Sequence, residues 1–194
     1  MIEKRKEYKF LLSSANEKNF LSHFGKELKV LHPNRNITSL YFDTVDFFIY
    51  KNSNLHDTDK TKVRIRTYNN ENIFFKEIKF NDSLGKRKIV TEENIKSFDE
   101  ITHIVHNNLI LKPAVFTSYN REYFIFEDLR ITVDRDINFY NHKTRTLSGY
   151  RVNFPKIIIE FKLGKTTSDI EKYFFKNPEA FSKYQTAISN IYNL

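Results

Sequence analysis

Between residues 62 and 80 the chain alternates. Lys62, Arg64 and Arg66 fall on one side of an extended backbone, and Val63 and Ile65 on the other. After the polar segment 69–72 the alternation resumes, with Glu77 and Lys79 one way and Phe74, Ile78 and Phe80 the other. This predicts a β-hairpin with one charged, mostly cationic face and one apolar face, as an antiparallel sheet with a single wet side has. The same period recurs along the chain. In residues 4–12, Arg5, Glu7 and Lys9 oppose Tyr8, Phe10 and Leu12; residues 37–43 form a second strand. In 86–92, Lys86 and Lys88 oppose Ile89, and in 113–126, Arg121 is flanked at period two by Tyr119 and Tyr123. In 129–138, Arg130, Thr132 and Asp134 oppose Ile131 and Val133. In 157–163, Ile158, Glu160 and Lys162 oppose Ile157, Ile159, Phe161 and Leu163.

Three segments carry helical spacing instead. Ser14 followed by Glu17 has the spacing of a capping box, and Phe20, Leu21, Phe24, Leu28 and Leu31 then predict a helix over 15–31, ended by Pro33. A second is predicted over 93–110 from Ile95, Phe98, Ile101, Ile104, Val105 and Leu109. A third runs over 177–193, with Asn177 as N-cap and Pro178 as first helical residue. Residues 51–60 are predicted as a loop after the aromatic segment 47–50. His103 and His106, three apart on the second predicted helix, fit a solvated surface better than a metal pair, and Lys172 and Lys176 a solvated helix face. Lys4 and Lys6 fit an exposed edge. About eight strands and three helices result, an α+β fold in a single domain over residues 1–194 with no repeat or linker.

Composition narrows the class. Hydrophobic residues make up 40% and charged residues 29%, as in soluble globular chains. The absence of cysteine excludes disulfides and thiolate nucleophiles or ligands. No apolar run approaches a membrane span and the first ten residues carry no apolar core of a leader, so a cytoplasmic protein is expected. The formal charge of +8 points to anionic partners. Phe and Tyr fall mostly on the apolar faces rather than among the cations, which argues against nucleic acid.

The cations lie along the strands. Their polar faces collect Arg5, Lys9, Lys62, Arg64, Arg66, Lys79, Lys86, Lys88, Arg121, Arg130 and Lys162, with fewer acids: Glu7, Glu77, Asp134 and Glu160. Like charges opposite one another across strands are destabilising, so so cationic a face works against its own folding unless an anion fills it. Eight strands closed into a ring with this face inward would form a tunnel suited to polyphosphate. No glycine-rich phosphate loop is present, since residues 85–88 (GKRK) lack its spacing and its Ser/Thr.

These residues, in this order, resemble the triphosphate tunnel metalloenzymes, and among them the catalytic (VTC) domain of the vacuolar transporter chaperone polyphosphate polymerases. RKEYKF at 5–10 and ITSLYFDT at 37–44 resemble the first two strand motifs, and VRIRTY at 63–68 the paired arginines. FFKEIKF at 74–80 resembles the acidic-x-Lys strand, and SYNREYF at 118–124 and RITVDRDI at 130–137 two further strands. IIIEFKL at 157–163 resembles the Glu-x-Lys strand and FSKY at 181–184 the C-terminal helix motif.

The resemblance implies a closed antiparallel eight-stranded barrel, the triphosphate tunnel, with flanking helices. It implies that Lys9, Arg64, Arg66, Lys79, Lys88, Arg121, Arg130 and Lys183 contact phosphates, with Lys162 beside the metal and Ser182 near the tunnel mouth. Glu160, with Glu7 or Glu77, would hold Mn²⁺ or Mg²⁺. The expected activity is metal-dependent transfer of the ATP γ-phosphate to polyphosphate. The alternatives are hydrolysis of tripolyphosphate or nucleoside triphosphates, and a non-catalytic polyphosphate-binding module. One departure stands out: the wider superfamily opens Glu-x-Glu-x-Lys, and here Arg5 takes the first Glu position, leaving Glu7 and Lys9.

Overall fold

Period two prevails over most of the chain. The computed structural model describes residues 7–55, 60–82, 85–143, 150–163, 171, 174 and 176–194. Its strands are β1 (Glu7–Leu12), β2 (Lys29–Asp43), β3 (Lys62–Tyr68), β4 (Phe74–Asp82), β5 (Gly85–Glu93), β6 (Ile104–His106), β7 (Leu109–Phe126), β8 (Leu129–Asn141), β9 (Arg151–Phe154) and β10 (Ile157–Lys162). The α-helices are α1 (Ser14–Ser22), α2 (Phe48–Leu55) and α3 (Lys183–Tyr192). The architecture is α+β, a mostly antiparallel sheet with few helices. Its strands follow the order β1-β10-β8-β7-β2-β3-β4-β5, with β6 paired to β7 and β9 to β8. Among the described residues no hydrogen-bonded ladder closes this path into a ring, and β1 and β5 are its two ends. No helix among these residues is long and apolar enough to cross a membrane.

The three predicted helices change most. The first stops at Ser22; Gly25, at φ +57°, and a 3₁₀ turn over Gly25–Glu27 follow, and β2 has begun by Lys29. Pro33 therefore lies within a strand. It is tolerated there because the ladder with β3 covers only Ile37–Phe42, which leaves the first half of β2 without that neighbour. The helix expected over 93–110 is absent: a 3₁₀ turn at Phe98–Glu100 leads into a hairpin of β6 with the start of β7. Asn107 and Asn108, both at positive φ, make its two-residue turn. Of the apolar positions that suggested a helix, Phe98 is buried, stacked edge-on to Phe74 and Phe116, while Val105 points outward. The third helix starts at Lys183 rather than 177. Its cap is Ser182, which accepts from the Gln185 amide at 3.4 Å, a Ser-x-x-Gln capping spacing.

A helix, α2, also takes the first half of the expected loop at 51–60. The Asp43 carboxylate accepts from the amides of Ile49 (2.9 Å) and Tyr50 (3.0 Å), and the Thr44 hydroxyl from that of Phe48 (2.8 Å). The donors at the start of α2 are thus satisfied by side chains several residues upstream, which a search for an adjacent cap overlooks. Lys4, Arg5, Lys6 and Lys172, and the side chain of Lys86, lie outside the described residues.

Contacts divide the chain into two compact units, neither contiguous in sequence. The first comprises residues 1–36, 119–137 and 153–181. One face of its sheet places Phe10 and Leu12 of β1, Ile157, Ile159 and Phe161 of β10, and Ile131 and Val133 of β8 in one core with Phe20, Phe24, Phe126 and Leu129. Phe161 is fully buried among the rings of Phe10, Phe20, Phe24 and Phe174. The second unit comprises residues 37–118, 138–152 and 182–194. Its core includes Ile37, Leu40, Phe42, Val63, Ile65, Val115 and Phe139, and α3 buries Tyr184, Ala187, Ile188 and Ile191 at helical spacing.

Phe161→Ala is expected to cost roughly 3–5 kcal/mol of unfolding free energy, whereas Phe48→Ala, at a half-exposed ring, should cost less than about 1 kcal/mol. Urea denaturation of the two variants tests the placement of the first unit's core.

Candidate functional site

In the second unit the β3–β4 register places Arg64 directly opposite Glu77 and Lys62 opposite Lys79, and the β4–β5 register places Lys79 opposite Lys88. Residues opposite each other share a face. A row of three lysines, Lys62, Lys79 and Lys88, therefore crosses three strands, with Arg64 and Arg66 beside it. Glu77, only 2% exposed, sits at the centre of this face. Its Oε2 accepts from Arg64 Nε at 2.8 Å and from Arg64 Nη2, and lies 3.9 Å from Arg66 Nη1. Its Oε1 accepts from Lys88 Nζ at 2.7 Å.

Arg64 also donates to the Tyr41 hydroxyl at 2.8 Å, and Arg66 to Ser39 Oγ at 3.0 Å. Both acceptors lie on β2 opposite the arginine they hold. Burial by itself would raise the Glu77 pKa, but Arg64, Arg66 and Lys88 outweigh it and hold the carboxylate well below its ordinary value of 4.5.

The start of α3 joins this unit through Lys62, whose Nζ donates to Ser182 Oγ at 2.8 Å. Tyr184 donates its phenol to Asp43 and stacks at 5.3 Å on Tyr41, and Gln185 donates to Ser53 Oγ at 3.1 Å. Lys183 stands in the first turn, where the helix dipole is already positive.

In the first unit the polar face follows the register of β1, β10 and β8. Glu7 lies opposite Lys162, itself opposite Arg130; Lys9 lies opposite Glu160, itself opposite Thr132. Lys9 Nζ donates to the Phe181 carbonyl at 2.7 Å, and Lys162 Nζ is 3.6 Å from Glu160 Oε1. Arg130 is exposed. Arg121 grips the 1%-exposed Asp134 with both arms of its guanidinium, Nε to Oδ1 at 2.5 Å and Nη2 to Oδ2 at 2.7 Å. Burial would lower the Arg121 pKa; Asp134, Tyr119 and Glu160 raise it well above its ordinary value, so it remains charged.

The residues singled out from sequence thus fall into two groups. Arg64, Arg66, Glu77, Lys79, Lys88, Ser182 and Lys183 belong to the second unit, and Glu7, Lys9, Arg121, Arg130, Glu160 and Lys162 to the first. Sequence reasoning missed Ser39, Tyr41, Asp43 and Tyr184. The first three share the odd-numbered side of ITSLYFD, so the alternation that flagged the arginines was available for them as well. Tyr184 carries no such signal, because it reaches Asp43 across 141 positions of sequence. Among the described residues no three His, Cys, Asp or Glu side chains converge as a metal site.

The family model of the VTC domain matches residues 4–95 and 85–192, nearly the whole chain. The chain belongs to the VTC domain family. No curated protein matches it. Solved structures similar to this VTC domain include a Bacillus halodurans protein provisionally named an adenylate cyclase, 19% identical, covering 95% of this chain and 97% of its own at a TM-score of 0.60. The PH1819 protein of Pyrococcus horikoshii is 14% identical over 97% of this chain and 98% of its own, at a TM-score of 0.58. A Hippeastrum protein, provisionally named an adenylyl cyclase and described as having a dominant triphosphatase activity, is 15% identical over 96% of each chain, at a TM-score of 0.51. At these identities the likeness shows the fold that the VTC domain shares with them.

The charge on Glu77 has a pH signature. Its folded pKa is depressed, so its contribution to stability is complete above the unfolded value and is lost as pH falls through and below it. Glu77→Gln should therefore lower stability near neutral pH by about 3–5 kcal/mol, since it leaves buried cations without their counter-charge. It should also flatten the loss of stability between about pH 5 and about pH 3. Urea denaturation at a series of pH values reads both, and parallel acid limbs in the two proteins would contradict the assignment.

Proposed function

We propose that this VTC domain is a phosphotransferase that moves the ATP γ-phosphate onto the end of a polyphosphate chain. The observation that carries this reading is the lysine row Lys62–Lys79–Lys88 flanked by the Arg64 and Arg66 forks. Directly facing lysines repel one another. A string of phosphoryl groups, carrying charge at regular intervals, relieves the repulsion along its whole length. The basic tunnel implied by the family resemblance is part of the proposal.

Phosphoryl transfer asks a protein chiefly to position groups and stabilise charge. In this reading Arg64, Arg66, Lys79 and Lys88 hold phosphate oxygens from the second unit's face, with Ser182 and Lys183 at the start of α3. Lys9, Arg121, Arg130 and Lys162 are the candidate phosphate ligands of the first unit. A terminal phosphate oxygen of the polymer attacks the γ-phosphorus, the bond to the bridging β,γ-oxygen breaks, and ADP leaves with that oxygen.

A divalent cation, Mn²⁺ or Mg²⁺, needs one or two carboxylates plus substrate oxygens. Glu160 and Glu7 suit this, lying on the same face of adjacent strands one diagonal step apart. The buried Thr132 hydroxyl oxygen, opposite Glu160, has no hydrogen-bond partner among the described residues and would add a third hard donor. When bound, such a cation would neutralise charge on the transferring phosphoryl group. Glu77, already committed to Arg64, Arg66 and Lys88, acts in this reading as the group that positions the arginines rather than as a ligand.

Hydrolysis of triphosphates is the second reading, favoured by the triphosphatase activity described for the Hippeastrum neighbour. It uses the same side chains with water in place of the polymer end.

Purified protein incubated with ATP and Mn²⁺ should yield ADP and acid-insoluble phosphate polymer. Orthophosphate without polymer would replace the first reading by the second, and tripolyphosphate binding without turnover would replace both by a binding module. Lys79→Ala, at an exposed position, should weaken tripolyphosphate binding roughly tenfold in calorimetry and leave the melting temperature unchanged. Glu160→Gln should raise the Mn²⁺ concentration needed for half-maximal turnover by roughly tenfold or more, while tripolyphosphate binding persists.

A further inference from the structure

The cationic face of the second unit changes character toward one end. β3 finishes at Tyr68 and β4 begins at Phe74, and the turn between them carries Asn69 and Asn70 at positive φ. Counted from that turn, the registers give three successive rows: Arg66, Phe75 and Glu92; then Arg64, Glu77 and Val90; then Lys62, Lys79 and Lys88. The first two rows each hold one base and one acid, and the third holds three bases. Positive charge therefore accumulates away from the turn.

Aromatic rings gather at the opposite end from the lysines. Tyr68 shares the side of β3 that carries Lys62, Arg64 and Arg66, and Phe75 lies directly opposite Arg66. The two rings are diagonal neighbours across the strand pair, their centres 6.0 Å apart at an angle of 61°, and both are half-buried. The Arg66 guanidinium lies over the Tyr68 ring, 5.9 Å from its centre, while its Nε donates to Ser39. A phenyl ring such as that of Phe75 carries no polar atom, so on a charged face it suits a ligand with a flat apolar part.

We propose that Tyr68 and Phe75 form the base platform for a nucleoside triphosphate, which lies along the face with its base at the β3–β4 turn and its γ-phosphate at the lysine row. This rests on the phosphotransferase reading above and adds to it a direction and a substrate class. A nucleotide is flat and uncharged at one end and polyanionic at the other, so the gradient of the face orients it. Tyr68 follows Arg66 by two residues, roughly 7 Å along the strand, which leaves room for the sugar between the stacked base and an α-phosphate on Arg66. Glu92, exposed in the row nearest the turn, repels phosphates there and opposes the reverse orientation. The γ-phosphate then reaches Lys62, Lys79 and Lys88, close to the start of α3, where Lys62 meets Ser182. ADP withdraws toward the turn after transfer. Stacking on a ring face does not discriminate among bases, so the platform accepts nucleoside triphosphates of any base.

Calorimetry with the β,γ-imido analogue of ATP and with tripolyphosphate separates the platform from the phosphate site. Phe75→Leu, which removes a ring and no charge, should weaken the analogue roughly tenfold and leave tripolyphosphate affinity unchanged. Tyr68→Phe keeps the ring under Arg66 and should bind both ligands as the wild type does, whereas Lys79→Ala should weaken both. Photolabelling of the wild-type protein with 8-azido-ATP, whose reactive group is on the base, should mark the hairpin around Tyr68 and Phe75. An analogue affinity that Phe75→Leu leaves unchanged, or label anywhere but this hairpin, overturns the platform, while tripolyphosphate binding still upholds the phosphate site. Wild-type protein that binds neither ligand overturns the phosphate reading itself, and the platform with it.

Discussion

A buried carboxylate that must stay charged is the constraint on which the polar face depends. Glu77 and Asp134 are 2% and 1% exposed, and each is held by an arginine on a neighbouring strand, Arg64 and Arg121 respectively. The arrangement works in both directions. Without the acid, the guanidinium would have to be buried against other cations; without the arginine, the acid would be an unpaired buried charge, which costs several kcal/mol. Each pair therefore fixes a fork on a strand before any ligand arrives. Preorganised donors of this kind need no reorganisation when an anion binds, which is what electrostatic stabilisation of phosphoryl groups requires.

The two units use that constraint differently. In the second, one acid serves several bases: Glu77 touches Arg64, Arg66 and Lys88, and the row Lys62–Lys79–Lys88 runs past it with like charges facing. In the first, signs alternate between β1 and β10, Glu7 against Lys162 and Lys9 against Glu160, while on β8 Lys162 faces Arg130. A surplus of positive charge suits an anionic chain of several phosphates. An alternating lattice leaves carboxylate oxygens such as those of Glu160 and Glu7 beside cations, a mixture of hard acceptors and donors that suits a metal and its phosphate together.

Strands were legible in the chain because a period of two is short and repeats. Four or five residues settle it, and the hairpin of β3 and β4 and the strand β10 lie within a residue or two of their expected limits. Helices were not legible to the same degree, for identifiable reasons. Residues 93–110 supply apolar side chains at helical spacing, yet Asn107-Asn108 takes the left-handed conformation that a two-residue hairpin needs, and local turn chemistry overrides a weak periodicity. Gly25 ends α1 two turns before the apolar pattern does. The beginning of α2 depends on Asp43 and Thr44, outside the window in which a cap is sought. At the site, the charged residues of each strand could be read from alternation. Their partners could be read only where they too lay on an alternating strand, as Ser39 and Tyr41 do, and not where a helix delivers them, as with Tyr184.

Asp43 shows why the partners of Glu77 matter more than its burial. Both carboxylates are nearly inaccessible, and burial alone pushes each pKa upward. Among the described residues Asp43 is met by neutral donors: the Tyr184 phenol and the amides of Ile49, Tyr50 and Thr44. These lower its pKa without overcoming burial, and the net shift is upward. Glu77 is met by cations, and the net shift is strongly downward. The first acid can fasten α2 and α3 to the sheet, because its hydrogen bonds come from fixed backbone and a buried ring. It cannot anchor a mobile charge. The second can keep two arginines and a lysine aimed at one place at any pH near neutrality, since nothing in that range removes its charge. The cationic face therefore derives its permanence from one acid, and the acid derives its ionisation from that face.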